Sequence, residues 1–158
     1  MGLTGAPSGP GSAGGPAAPV ALRRARAGDI PRLAALRLSV RENRLADPAA
    51  VTAADYAWFV ARRRVWLAEA GGVLHGFAAS DPRDGTIWAL FVDPACEGRG
   101  TGTALLARAC ADLAADGHRR AALSTDPGTR AEAFYIARGW TPAGTDDRGE
   151  RRFTKALP

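Results

Sequence analysis

Apolar and polar positions run in short blocks whose period changes several times along the chain. "VALRRAR" from Val20 predicts a first strand, broken at Gly28 and Asp29. Asp29 stands where a helix cap belongs, ahead of Ile30, Leu33, Leu36 and Leu38. "VRENRLADP" is polar and irregular. Thr52, with Asp55 three residues on, opens a second helix carrying Tyr56, Phe59 and Val60 on one face. The period then drops to two. "VWLAEA" and "VLHGFAAS" flank Gly71-Gly72, a natural hairpin turn. "TIWALFV" is apolar on both faces, which predicts a strand in the middle of a sheet.

A glycine-rich stretch leads into a helix that runs to about Asp116 and closes at Gly117, and "AALST" is the next strand. Strand, helix, strand in that order predicts a parallel pair joined by a crossover. Thr129 and Glu132 are spaced as a capping box for a helix with Ala131, Phe134, Tyr135 and Ala137, ended by Gly139. "WTPAG" and "RRFTKAL" around "TDDRG" predict a closing hairpin. The pattern is that of an α/β domain. Its sheet is mixed and mostly antiparallel, with one central parallel crossover, and helices flank it.

Composition narrows the picture. Residues 1–19 are mostly Gly, Pro, Ala and Ser with no charged side chain, too poor in apolar surface to offset ordering entropy, so a disordered tail is expected there and a folded domain over 20–158. The net charge is +5, carried almost wholly by arginine, with Lys155 the only lysine. That excess fits either a coding bias or the steering of an anionic ligand. No basic run interleaved with aromatics speaks for nucleic acid. Two cysteines, Cys96 and Cys110, are too few for a disulfide framework, and no His/Cys cluster points to a metal. No apolar run is long enough for a membrane span, and the N-terminus has no secretory pattern, so a cytoplasmic location is expected.

The chemistry concentrates in "FVDPACEGRGTGTA", residues 91–104. Gly98, Gly100 and Gly102 precede a helix, where backbone amides lack partners and the helix dipole is positive. Glycine lets a phosphate approach those amides, and Arg99 can add a charge. A P-loop is excluded because no Gly-Lys-Ser/Thr follows. A nicotinamide-dinucleotide fold would use Asp126 as its acidic residue, but "DPACE" separates strand from glycines and too little chain follows Asp126.

At this loop the sequence resembles the GCN5-related N-acetyltransferases (GNAT). Val92, Pro94, Gly100 and Gly102 match the family's V-x-P and coenzyme loop, while Glu97 takes the place of its usual Gln or Arg. "AEAFYIARGW" is similar to the family's Phe-Tyr helix through Ala131, Phe134, Tyr135, Gly139 and Trp140, with Gly128 where an asparagine is frequent. The resemblance covers residues 20–156 and implies a GNAT-like fold.

It also implies direct acetyl transfer from acetyl-CoA, a cosubstrate, to a primary amine of a small molecule or peptide. No metal is implied. Phe91 and Val92 would hold the pantetheine arm, and Gly98, Arg99, Gly100, Thr101, Gly102 and Thr103 the pyrophosphate. Tyr135 would be the general acid. Some members carry a basic carboxylate on the central strand, and "TIWALFV" has none. Glu42 is then the candidate base, with a water chain to solvent as its equal rival. Arg37, Arg41, Asn43 and Arg44 suit an acceptor that carries a carboxylate. His75 suits packing or hydrogen bonding, Trp88 the core or the wall of an acceptor pocket, His118 exposure and Cys96 a structural place. The resemblance allows a homodimer. A non-catalytic acyl-CoA-binding sensor is the alternative.

Overall fold

The computed structural model describes residues 18–40 and 51–158. The strands are β1 (Ala21–Arg24), β2 (Val65–Ala70), β3 (Val73–Asp81), β4 (Thr86–Val92), β5 (Arg120–Thr125), β6 (Thr141–Thr145) and β7 (Arg151–Ala156). The helices are α1 (Ile30–Ser39), α2 (Ala53–Ala61), α3 (Thr101–Ala115) and α4 (Arg130–Ala137). All seven strands join one sheet in the order β1-β2-β3-β4-β5-β7-β6. Among the described residues only β4 and β5 run parallel, with α3 as their crossover. β4 is central, as its two-sided apolar sequence predicts. The segment expected as a tail lies, apart from residues 18–19, outside the described residues, and so does Glu42.

Each face of the sheet has its own core. Leu33 and Leu36 of α1 and Tyr56, Phe59 and Val60 of α2 pack on Leu67, Phe77, Ala79 and Phe91. On the other face Leu105, Ala109 and Leu113 of α3 and Tyr135 of α4 pack on Ala78, Ile87, Leu123 and Phe153. Leu38 is 50% exposed, so it lies off the buried stripe of α1.

Two caps differ from their sequence patterns. Thr52 and Asp55 form the expected box, each side chain bonding the other's backbone N–H. Asp29 precedes α1 but does not cap it through its side chain. Its carboxylate is drawn away by the Arg26 amide and the guanidinium groups of Arg23 and Arg32, which Glu69 also holds. Thr129 likewise gives no side-chain cap to α4, because its hydroxyl donates to the Asp126 carbonyl, and Glu132 takes the Gly128 amide instead. His118 is half-buried rather than exposed, with Nε2 2.8 Å from the Pro82 carbonyl.

β4 carries a bulge. Ala79 pairs with Ala89 and Ser80 with Ile87, which leaves Trp88 as the extra residue. Trp88 and Ala89 therefore share the α1–α2 face, followed by Leu90 on the α3 face and Phe91 back on the first.

Candidate active site

The site begins where two parallel strands part. The β4–β5 ladder registers at one pair, Thr86 with Ala122, beside a bond from the Ala122 amide to the Gly85 carbonyl. β5 is committed to β7 over six consecutive pairs. On its far side β4 stays paired with β3 as far as Val92 with Gly76. Among the described residues, Leu90, Phe91 and Val92 thus turn an unpaired backbone edge into the gap between β4 and β5.

Two clefts open there. The smaller, about 380 Å³, is floored by Phe91, Val92, Gly98, Gly100, Thr101, Gly102 and Thr103. The chain enters it through a tight turn in which Asp93 accepts the Ala95 amide. Gly98 and Gly100 have φ of +80° and +79°, with open space where a Cβ would stand, so conformation is what requires glycine at both. Gly102 differs. A Cβ there would lie 3.3 Å from the Phe134 ring and 3.4 Å from Val92, so the missing side chain lets α3 close on α4 and β4. Gly100 caps α3 without a side-chain bond, which leaves the first-turn amides facing the cleft.

Arg99 is exposed and does not line this cleft, whereas Arg130 and Arg138 do. Arg138 lies over the Phe134 ring at 3.7 Å and donates to the Thr103 hydroxyl at 2.6 Å. Arg130 pairs with Glu97 at 3.1 Å, so the carboxylate that lines this cleft has its charge already matched. Cys96 is buried beneath the loop, and burial raises its thiol pKa, which makes it a poor nucleophile.

The larger cleft, about 560 Å³, lies on the other side of the gap. Its walls carry charge of both signs: Arg37, Arg148 and Arg152 with Asp84, Asp126 and Glu150. Burial holds the Glu150 carboxyl above the usual glutamate range, reinforced by Asp146 and Asp126 and opposed by Arg148 and Arg37. Sequence gives no sign of this, because Glu150 sits in a polar hairpin that reads as solvated. Trp88 lines this cleft too, stacked on Phe59 at 4.1 Å and edge-on to Tyr56 at 5.4 Å.

Leu90, Phe91 and Tyr135 line both clefts. Tyr135 is held by Phe134 at 5.2 Å and by Trp140 and Phe153 at 5.8 Å. Its burial pushes the phenol well above its ordinary range, so it stays a proton donor at any physiological pH. Seven of the eight loop and strand residues expected to hold a coenzyme therefore share one cleft with Tyr135, and Arg99 is the one outside it. Glu42, Arg41, Asn43 and Arg44 lie outside the described residues.

A family model described as acetyltransferase (GNAT) family matches residues 32–140. Among solved structures, N-acetylglutamate synthase from Neisseria gonorrhoeae, complexed with coenzyme A and N-acetyl-glutamate, is similar with a TM-score of 0.69 and 22% identity over 89% of this chain. The match spans only 36% of that protein. YncA from Salmonella typhimurium, with its cofactor acetyl-CoA, gives 0.71 and 19%, covering 88% of this chain and 94% of that one. An N-acetyltransferase from Staphylococcus aureus Mu50 gives 0.71 and 20%, covering 89% and 99%. These likenesses show a shared fold. No curated protein matches significantly. Among the described residues no helix is long and apolar enough to cross a membrane.

Proposed function

The chain belongs to the acetyltransferase (GNAT) family, acyltransferases that use a coenzyme A thioester, and from that premise we propose that it moves an acetyl group from acetyl-CoA directly to a primary amine. The amine belongs to a small molecule or a peptide. The observation that carries this reading is the continuous path from the unpaired edge at Phe91–Val92 to the uncapped start of α3, with Tyr135 where that path meets the second cleft.

The cosubstrate supplies an acetyl thioester. The amides of Thr101, Gly102 and Thr103 suit its pyrophosphate, and the free backbone groups of Phe91 and Val92 suit its pantetheine arm. An N–H on that edge would donate to the thioester oxygen. Glu150 takes the proton that the attacking amine must lose as the C–N bond forms. Tyr135 gives its proton to sulfur as the C–S bond breaks. Its weak acidity is no obstacle, because the same burial raises the proton affinity of a thiolate released beside it. Acetyl-CoA is a cytoplasmic metabolite, so we place the reaction in the cytoplasm.

The deciding experiment measures release of free coenzyme thiol from acetyl-CoA across a broad amine panel, alongside thermal shift. Acetyl-CoA should raise the melting temperature, NAD should not, and at least one amine should be turned over. Tight acetyl-CoA binding with no turnover by any amine would instead favour the non-catalytic sensor.

The role of Glu150 has its own signature. A base works only when deprotonated, so kcat/KM should fall as pH drops through the carboxyl's raised pKa, giving an acid limb above the ordinary glutamate range. Glu150→Gln should lower kcat/KM about tenfold at neutral pH and erase that limb. An acid limb that persists unchanged in Glu150→Gln would remove Glu150 from the mechanism.

A further inference from the structure

Arg37, in the last turn of α1, is the feature of the larger cleft that proton transfer does not use. Its guanidinium carbon lies 5.0 Å from the Trp88 ring and 4.8 Å from the Phe91 ring. The two aromatic faces hold the group in place. The Tyr56 hydroxyl stands beside it. Nε and Nη1 are nevertheless buried without a hydrogen-bond partner among the described residues. A guanidinium cannot shed its charge to escape this, so the fold carries unpaired cationic donors against the wall of an open cleft.

We propose that the acceptor amine also carries a carboxylate, so that the substrate class is an amino acid, and that Arg37 binds the carboxylate while Glu150 faces the amine. This rests on the acetyltransferase reading above and names its substrate class. Three observations support a single carboxylate over a bulkier anion. Of the other two cations in the cleft, Arg148 is already paired with Glu150 and Asp146. Asp84, Asp126 and Glu150 would repel a phosphate dianion, whereas a zwitterion meets an opposite charge at each end. Arg37 and Glu150 also feel each other across the cleft, so both ends of a small zwitterion fall within one electrostatic neighbourhood. Arg37 recognises the substrate through its carboxylate and takes no part in proton transfer.

The test uses the full-length protein saturated with coenzyme A. Isothermal titration compares matched product pairs, such as N-acetylnorleucine against N-pentylacetamide, across apolar, polar and acidic side chains. At least one carboxylate-bearing member should bind about 30-fold to 100-fold more tightly than its carboxylate-free partner, the scale of a charge-assisted hydrogen bond in a desolvated site. Arg37→Gln should abolish that preference and Arg37→Lys should retain part of it. The lysine variant keeps the test open if the glutamine variant folds poorly.

Equal binding within every pair, no binding by any member, or a preference that survives in Arg37→Gln overturns the proposal. Turnover of the parent amines separates the two readings. Thiol release with carboxylate-free amines alone overturns the substrate class and leaves acetyl transfer standing. Carboxylate-dependent binding with no thiol release from any amine keeps the Arg37 site and removes the acetyltransferase reading.

Discussion

Tyr135→Phe should lower kcat by about a hundredfold or more while changing acetyl-CoA affinity by less than about threefold, because the hydroxyl serves the leaving sulfur and the ring serves the fold. Ring packing is the reason the two effects separate. Tyr135 touches Phe134, Trp140 and Phe153 through its ring, and phenylalanine preserves all three contacts. What disappears is the one O–H of a residue that lines both clefts. The loss should be largest for acceptors whose rate is limited by C–S cleavage. Stopped-flow thiol detection, with affinity taken from equilibrium titration, reads both quantities. Unchanged kcat would remove Tyr135 from the chemistry, and a matching loss of affinity would recast it as a coenzyme contact.

Gly76→Ala should cost about 1–3 kcal/mol of stability, lower the melting temperature by roughly 3–10 °C and weaken acetyl-CoA binding at least about tenfold. Gly76 pairs with Val92 across the β3–β4 ladder. A Cβ there would stand 2.7 Å from the Phe91 carbonyl oxygen and 3.2 Å from both the Val92 Cα and a Leu105 methyl. Two of those neighbours are backbone, which cannot rotate aside as a flexible side chain can. The strand must shift, and the part that shifts is the Phe91–Val92 edge. Stability and affinity should therefore fall together, a pairing a remote core mutation would not give. Calorimetry and titration on one preparation check it. Full affinity in a destabilised Gly76→Ala would show that the edge tolerates displacement.

Elements were legible in the sequence wherever the hydrophobic period changed at a glycine. Gly71-Gly72, Gly117 and Gly139 all have positive φ and close the elements they were expected to close. The glycine loop was legible for a related reason. A run of alternating glycines ahead of a helix demands a sharp turn, and Gly98 and Gly100 have the positive φ of one, with no side-chain cap on α3.

Long-range contacts were hidden. Asp29 has a cap residue's position, but Arg23 and Arg32 outcompete the helix for its carboxylate. Glu150 lies far along the chain from α1, and only the sheet order brings it into the same cleft as Arg37. The Glu97–Arg130 pair spans 33 residues, so a loop carboxylate that looked misplaced is neutralised by a partner no local pattern announces. The parting of β4 and β5 is likewise a property of pairing rather than of composition.

The bulge at Trp88 acts as a parity switch for everything downstream in β4. In a regular strand, side chains alternate between faces and backbone N–H groups alternate between edges, so one extra residue inverts both sequences at once. Upstream of Trp88 the strand is in one phase, set by Thr86 beside Ala122, and downstream it is in the other, set by Phe91 beside Phe77. The pairing with β3 absorbs that inversion, so Phe91 stays opposite Phe77 and Val92 opposite Gly76 on either side of the count. Deleting Trp88 would restore regular alternation, leave those pairs and their edges unchanged, and remove one of the two rings that flank Arg37. The extra residue is therefore a means of adding an aromatic wall to the cleft without disturbing the strand's register.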